Sequence, residues 1–223
     1  MKFRPYCIVL AGCTVLVTGR GVSQDDPAAS SSSRNPKAAH AAAKHSKPAA
    51  DTSVDEASYR NATFGFRYRV IVGWVNRTQE MQPDPAAGSE SDSSAKVLLA
   101  VFERPPEAIG ETVNSAVVIA QENASSYPGL KSAGDYVGPL TELVTGKGFK
   151  SAGEAYEISI DSKTLVRCDF TREINKLAMF QSTLLMMQKG TIVSFTFIGG
   201  SQDEVEALTE RLSFSQEPAT KPR

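Results

Sequence analysis

The spacing of hydrophobic positions changes along this chain, and each change marks an element. In the run YRNATFGFRYRVIVGW, Phe64, Phe66 and Tyr68 alternate with Gly65, Arg67 and Arg69. Period-two alternation predicts a half-buried strand with its aromatic side inward and its basic side outward. Gly73 then predicts a turn that swings Trp74, the single tryptophan, onto the sheet. Residues 79–95 (QEMQPDPAAGSESDSSA) read as a long polar loop whose composition favours disorder. Val97 to Glu103 and Ala116 to Gln121 are nearly continuous apolar runs, the pattern of strands covered on both faces. Tyr136, Leu140, Leu143 and Val144 fall on one face of a helix predicted over about 135–146, with Pro139 tolerated in its first turn.

The C-terminal third carries four strand patterns: Ala155 to Ile160, Thr164 to Thr171, Ala178 to Gln188 and Thr191 to Ile198. The turns between them (Asp161-Ser162-Lys163, Asn175-Lys176 and Lys189-Gly190) are short, so the strands should pair as an antiparallel meander. Val166, Cys168 and Phe170 share one face of such a strand, and Val193, Phe195 and Phe197 repeat the device. Ser201-Gln202-Asp203-Glu204 spells a helix capping box. Val205, Leu208 and Leu212 predict an amphipathic helix behind it, packed on the sheet. Strands, helix, four strands and a last helix make an α+β domain around a mainly antiparallel sheet.

Outside this region the pattern is different. Lys2 and Arg4 precede an apolar stretch from Cys7 to Thr18, too short to span a bilayer, and Gly21-Val22-Ser23 places small residues before Gln24. Residues 1–23 therefore read as a signal peptide cleaved at Ser23. An uncleaved anchor is one alternative, suggested by Arg20. Lipidation is another, because Leu10-Ala11-Gly12-Cys13 spells a lipobox and would put the lipid on Cys13. Residues 24–58, rich in Ala, Ser, Lys and Pro, read as a disordered tether; 59–214 is the domain and 215–223 a frayed tail. Export, to the periplasm or beyond the cell, is the expected localisation, with a membrane contact only through an uncleaved or lipidated N-terminus.

Charge sharpens this division. Residues 1–50 carry 7 basic and 2 acidic side chains, residues 51–223 carry 17 and 23. An acidic domain with scattered arginines argues against a nucleic-acid partner.

The chemistry is limited by what the domain lacks. The two histidines, His40 and His45, both lie in the tether. Without an imidazole, Ser-His-Asp and Cys-His catalysis are excluded, and no phosphate loop or dinucleotide-binding glycine pattern is present. Zinc would need clustered His or Cys, and after cleavage Cys168 is the sole thiol. Its strand pattern buries it. Asp203, Glu204 and Glu206 read as first-turn helix charges rather than a catalytic carboxylate pair. Met179, Met186 and Met187 read as core filler. No catalytic residue, metal site or cofactor is expected.

One set of positions bears a family likeness. Asn61, Phe64, Phe66, Tyr68, Gly73 and Trp74 form an N-x-x-F-x-F-x-Y … G-W pattern; Tyr136-Val137 opens the mid-chain helix; Phe195-Thr196-Phe197 precedes the acidic start of the last helix. Over about residues 59–214 this resembles the Mog1/PsbP-like superfamily, whose members usually carry Pro where Val72 stands. The resemblance implies a central antiparallel sheet flanked by helices, an α/β/α sandwich, and an accessory or binding role with no catalytic residues. The functional expectation is a non-catalytic, monomeric exported module that binds a protein partner. The alternative is a carrier of a small apolar ligand held between sheet and helix, and a carboxylate-based enzyme comes third. Trp74 is expected to anchor the core; its alternative role is in a binding groove beside the 79–95 loop.

Overall fold

A computed structural model describes residues 54–55, 58–83, 95–108, 110–174 and 176–214. The signal, Cys13, both histidines, the tail from 215 and loop residues 84–94 lie outside the described residues. No described helix is long and apolar enough to cross a membrane.

The larger of two sheets is antiparallel throughout. Its strands are β4 (Val75–Asn76), β5 (Ala95–Phe102), β6 (Ala116–Asn123), β11 (Thr191–Gly199), β10 (Leu177–Gln188), β9 (Lys163–Ile174) and β7 (Lys150–Ser151), in that order, with β8 (Tyr156–Ile160) also on β9. The predicted meander runs from β8 to β11. Lys189 (φ 53°) and Gly190 (φ 73°) close the β10–β11 hairpin with both central residues left-handed, the geometry that matches strand twist.

Helices cover both faces of this sheet. The first, α1 (Val137–Gly146), is entered through a 3₁₀ turn at Gly134–Tyr136. It places Tyr136, Leu140 and Val144 against Cys168, Phe170, Leu185 and Ile192. Pro139 stands in its first turn, where a missing N–H leaves no helical bond unmade. The second, α2 (Gln202–Thr209), covers the opposite face with Val205 and Leu208, against Leu184, Val193, Phe195 and Phe197. The domain is an α+β sandwich.

The sequence pattern did not anticipate a second sheet, which shares the α2 side. Its order is β1 (Val54–Asp55), β2 (Ser58–Asn61), β3 (Phe66–Tyr68), β12 (Leu212–Phe214). Three expectations change with it. The aromatic run is a hairpin and not one strand: Gly65 takes φ 71°, its amide donates to the Asn61 carbonyl, and Asn61 Oδ1 accepts from the Phe64 amide. Leu212 is no helical residue, because α2 ends at Thr209 and the chain turns to pair β12 with β3. The first strand pairing begins at Val54, ahead of residue 59. The inward alternation itself holds, with Phe64, Phe66 and Tyr68 all buried. Phe66 meets Phe195 edge-on at 4.9 Å, and Phe195 meets Phe214 at 6.0 Å, so the small sheet is bonded to the large one by aromatic packing.

Candidate functional site

Trp74 follows a turn that its neighbours build. Gly73 adopts φ 88°, a conformation costly for any residue with a Cβ, and the Trp74 amide donates to the Ile71 carbonyl at 3.2 Å. Val70, Ile71 and Trp74 are half-buried against the main core, while Val72 at the tip is 82% exposed. Trp74 therefore packs as an anchor and still keeps part of its surface in solvent.

The start of the loop behind it is ordered, contrary to its polar composition. Asn76 Oδ1 accepts from the Thr78 amide and hydroxyl, and Thr78 Oγ1 accepts from the Ala100 amide at 2.9 Å. The Gln82 side-chain amide both donates to the Val97 carbonyl and accepts from the Val97 amide. These side chains imitate a neighbouring strand where two-residue β4 stops short, and they seal the edge of β5.

A buried carboxylate that sequence reasoning missed lies on the α1 face. Glu122, 5% exposed, accepts hydrogen bonds from the hydroxyls of Tyr127 and Tyr136, the latter at 2.9 Å. The two rings stack edge-on at 5.0 Å. Buried this deeply, the group clamps the 124–136 segment onto β6. A strand-end glutamate followed by two tyrosines was the only signal in the sequence.

A second polar cluster borders solvent. Arg167 on β9 forks onto Glu206 of α2, with Nη1 donating to Oε2 at 3.0 Å, and its Nε donates to Asp169 at 2.9 Å. Burial works against the guanidinium's charge, but the two carboxylates outweigh it and hold its pKa above the ordinary value. Arg167 also lies 5.9 Å from the ring centroid of Tyr156, whose hydroxyl donates to Asp169. Partial burial, then the charge of Asp169, raises the Tyr156 pKa. Glu206 thus ties helix to sheet. Glu204 completes the cap of α2 differently from a simple capping box: Ser201 Oγ accepts from the Glu204 amide at 3.1 Å, but the carboxylate reaches the Gly200 amide and the Ser115 hydroxyl.

Cys168 is 3% exposed, and burial followed by the charge of Asp169 pushes its pKa up to about 11. A neutral, covered thiol of this kind is no nucleophile at neutral pH. No group of three metal-ligating side chains occurs among the described residues.

Two exposed features remain. Strand β8 pairs only with β9 among the described strands; β12 meets its far end, where the Phe214 amide donates to Asp161 Oδ2 at 2.7 Å, and no strand pairs with its outer edge at Tyr156. Tyr156, 47% exposed, stands at the start of that edge, while Ile158 and Ile160 pack inward. The outward face of the small sheet is the other feature. Arg60 lies directly opposite Arg67, and Arg69 is paired through backbone with Arg211. The outward direction of Arg67 and Arg69 was legible; their meeting with Arg60 and Arg211 needed the hairpin and β12.

Together these observations define an α+β domain built around a mainly antiparallel sheet. No family model matches the chain, and no curated protein sequence does. Solved structures are similar to it. A cyanobacterial PsbP from Synechocystis aligns at TM-score 0.45 and 10% identity, over 71% of this chain and 91% of that one. A Pseudomonas aeruginosa protein of unknown function, PA94, aligns at TM-score 0.36 and 18% identity, over 61% and 89%. LpqN of Mycobacterium tuberculosis, described as involved in cell envelope biogenesis, aligns at 0.32 and 9%, over 56% and 80%. At these identities and scores they carry no activity, ligand or partner over to this chain.

Proposed function

We propose that the chain is a non-catalytic exported accessory domain that binds a protein partner along the open edge of β8, with Tyr156 as the anchor. The observation that carries this reading is a half-exposed tyrosine beside an unpaired strand edge. Open edges invite an added strand, and natural domains usually cover or charge them. Here β5 at the far side is sealed by Gln82 and Thr78, whereas β8 is met by β12 at its Asp161 end and has no strand partner on its outer edge at Tyr156 among the described strands. Tyrosine and arginine are the side chains over-represented in interface cores, and Arg167 is already fixed under Tyr156 by Asp169 and Glu206. A carrier role is less well supported, since the space between α1 and the sheet is filled by Tyr136, Leu140 and Val144.

The test places a photo-crosslinking residue at position 156 and, separately, at the exposed Glu142 of α1. A partner captured from 156 and not from 142, whose purified form loses binding to Tyr156→Ala, supports the reading. Equal capture at both positions, or full binding by Tyr156→Ala, refutes it.

A further inference from the structure

The small sheet turns three arginines to solvent, Arg60 on β2 and Arg67 and Arg69 along and just beyond β3, and sets a fourth, the half-buried Arg211 leading into β12, beside them. Neighbouring strands lie about 4.8 Å apart, and side chains on one face repeat every ~6.7 Å along a strand, so four positive charges share one small patch. Arg60 and Arg67 form a directly opposed like-charged pair, an arrangement that weakens a sheet. No carboxylate among the described residues forms an ion pair with any of the four. Arg69 and Arg211 instead donate to the backbone carbonyls of Glu210 and Arg69. The surrounding region is acidic, with 17 basic against 23 acidic residues over 51–223, so the cluster is not a consequence of bulk composition.

A second, independent observation adjoins it. The strand carrying Arg67 and Arg69 runs straight into the turn that exposes Val72 and keeps Trp74 half-buried. Arginines beside a protruding valine and a tryptophan match the chemistry of a membrane interface: phosphates outside, acyl chains just beneath, indole between. An open sheet face suits a plane of phosphates better than one compact anion, which would need a concave cradle.

We infer that this face docks on an anionic phospholipid surface, with Arg60, Arg67, Arg69 and Arg211 contacting headgroups and Val72 inserted at the edge. The site is distinct from the β8 edge, so either can fail without the other.

Trp74 is the only tryptophan in the chain and stands two residues from the exposed Val72, so it reports docking of this face whatever the N-terminal segment does. The full chain is titrated with phosphatidylglycerol vesicles, and with phosphatidylcholine vesicles, both carrying brominated acyl chains that quench indole at short range. Quenching by the anionic vesicles alone is expected. Each arginine near such a surface is worth about a factor of five, so Arg60→Gln/Arg67→Gln should raise the half-quenching lipid concentration roughly twenty-five-fold. Arg60→Lys/Arg67→Lys should keep most of the response, and Val72→Asp should weaken it. The Gln variant should unfold no earlier than wild type, since it removes a like-charge pair. Equal quenching by neutral vesicles, or an unchanged Gln variant, overturns the inference. So does displacement by inorganic phosphate at concentrations matching the lipid phosphate, which would make the ligand a compact anion.

Discussion

Ser182 offers a direct test of how the core is built. Its side chain shares a face of β10 with Phe180, Leu184 and Met186, in the main core, and its strand neighbours are Phe197 and Asp169. It is fully buried, and among the described residues its hydroxyl oxygen has no hydrogen-bond partner. A buried hydroxyl with no partner carries a desolvation penalty of about 1–3 kcal/mol. Ser182→Ala removes that penalty and leaves a gap the size of one oxygen atom, which costs on the order of 0.3 kcal/mol at the usual rate for cavity volume. The variant should therefore be more stable by about 1 kcal/mol. For a domain of this size that is a rise in Tm of roughly 2–4 °C. Urea unfolding followed by Trp74 fluorescence measures it, with the midpoint rising and the slope unchanged. Ser182→Val, which fills the same position with more carbon than it held, should lose stability by overpacking. A loss of 1 kcal/mol or more in Ser182→Ala would show that the hydroxyl is satisfied, by a buried water for instance, and would refute the reasoning.

Three other outcomes follow from the same structure. Tyr136→Phe removes a hydroxyl that donates to the buried Glu122 and should cost about 2 kcal/mol by thermal unfolding, whereas a cost near zero would mean the clamp is redundant. Trp74→Ala should cost about 2 kcal/mol, short of a fully buried aromatic because the ring keeps part of its surface in solvent; an unchanged Tm would remove Trp74 from the core. Cys168 should resist a thiol reagent in the native state. Because its folded pKa is raised, the stability gained from the neutral thiol is complete below about pH 8.5, the unfolded value, and is lost as pH climbs towards about 11. Rapid labelling at neutral pH would contradict the burial.

What could be read from the sequence divides by range. The meander was legible because its information is local: alternation sets each face, and two-residue turns set each pairing. Cys168, Phe170, Phe195 and Phe197 accordingly lie on the faces their spacing assigned. The start of α2 was legible for the same reason, since Ser201 and Glu204 are three residues apart. The small sheet was not. Its β3–β12 pairing joins residues separated by most of the domain, and three-residue strands are too short to carry a period. Leu212 fits a helical spacing from Leu208 as well as it fits a strand, and only the end of α2 at Thr209 decides between them. Residues 79–83 were misjudged because polarity does not distinguish a side chain in water from one that replaces a strand's backbone.

The same limit hid the arginine face, and the reason bears on function. Arg67 and Arg69 alternate with buried aromatics, so in isolation they are the ordinary solvent side of a strand. Only when β2 and β12 are laid beside β3 do Arg60 and Arg211 arrive opposite them, turning separate solvated charges into a repelling group. That repulsion is offset from the other side of the sheet. Tyr59 and Phe66 meet at 5.8 Å, Phe66 and Phe214 at 6.4 Å, and the buried Tyr68 hydroxyl donates to the Leu208 carbonyl, binding β3 to the end of α2. Phe66 and Tyr68, the buried side of the alternation that turns Arg67 and Arg69 outward, thus hold the strand that carries the arginines. That packing fixes the backbone carrying the cluster, while the exposed Arg60 and Arg67 side chains keep their rotamer freedom, so ordering them on a ligand would still cost side-chain entropy.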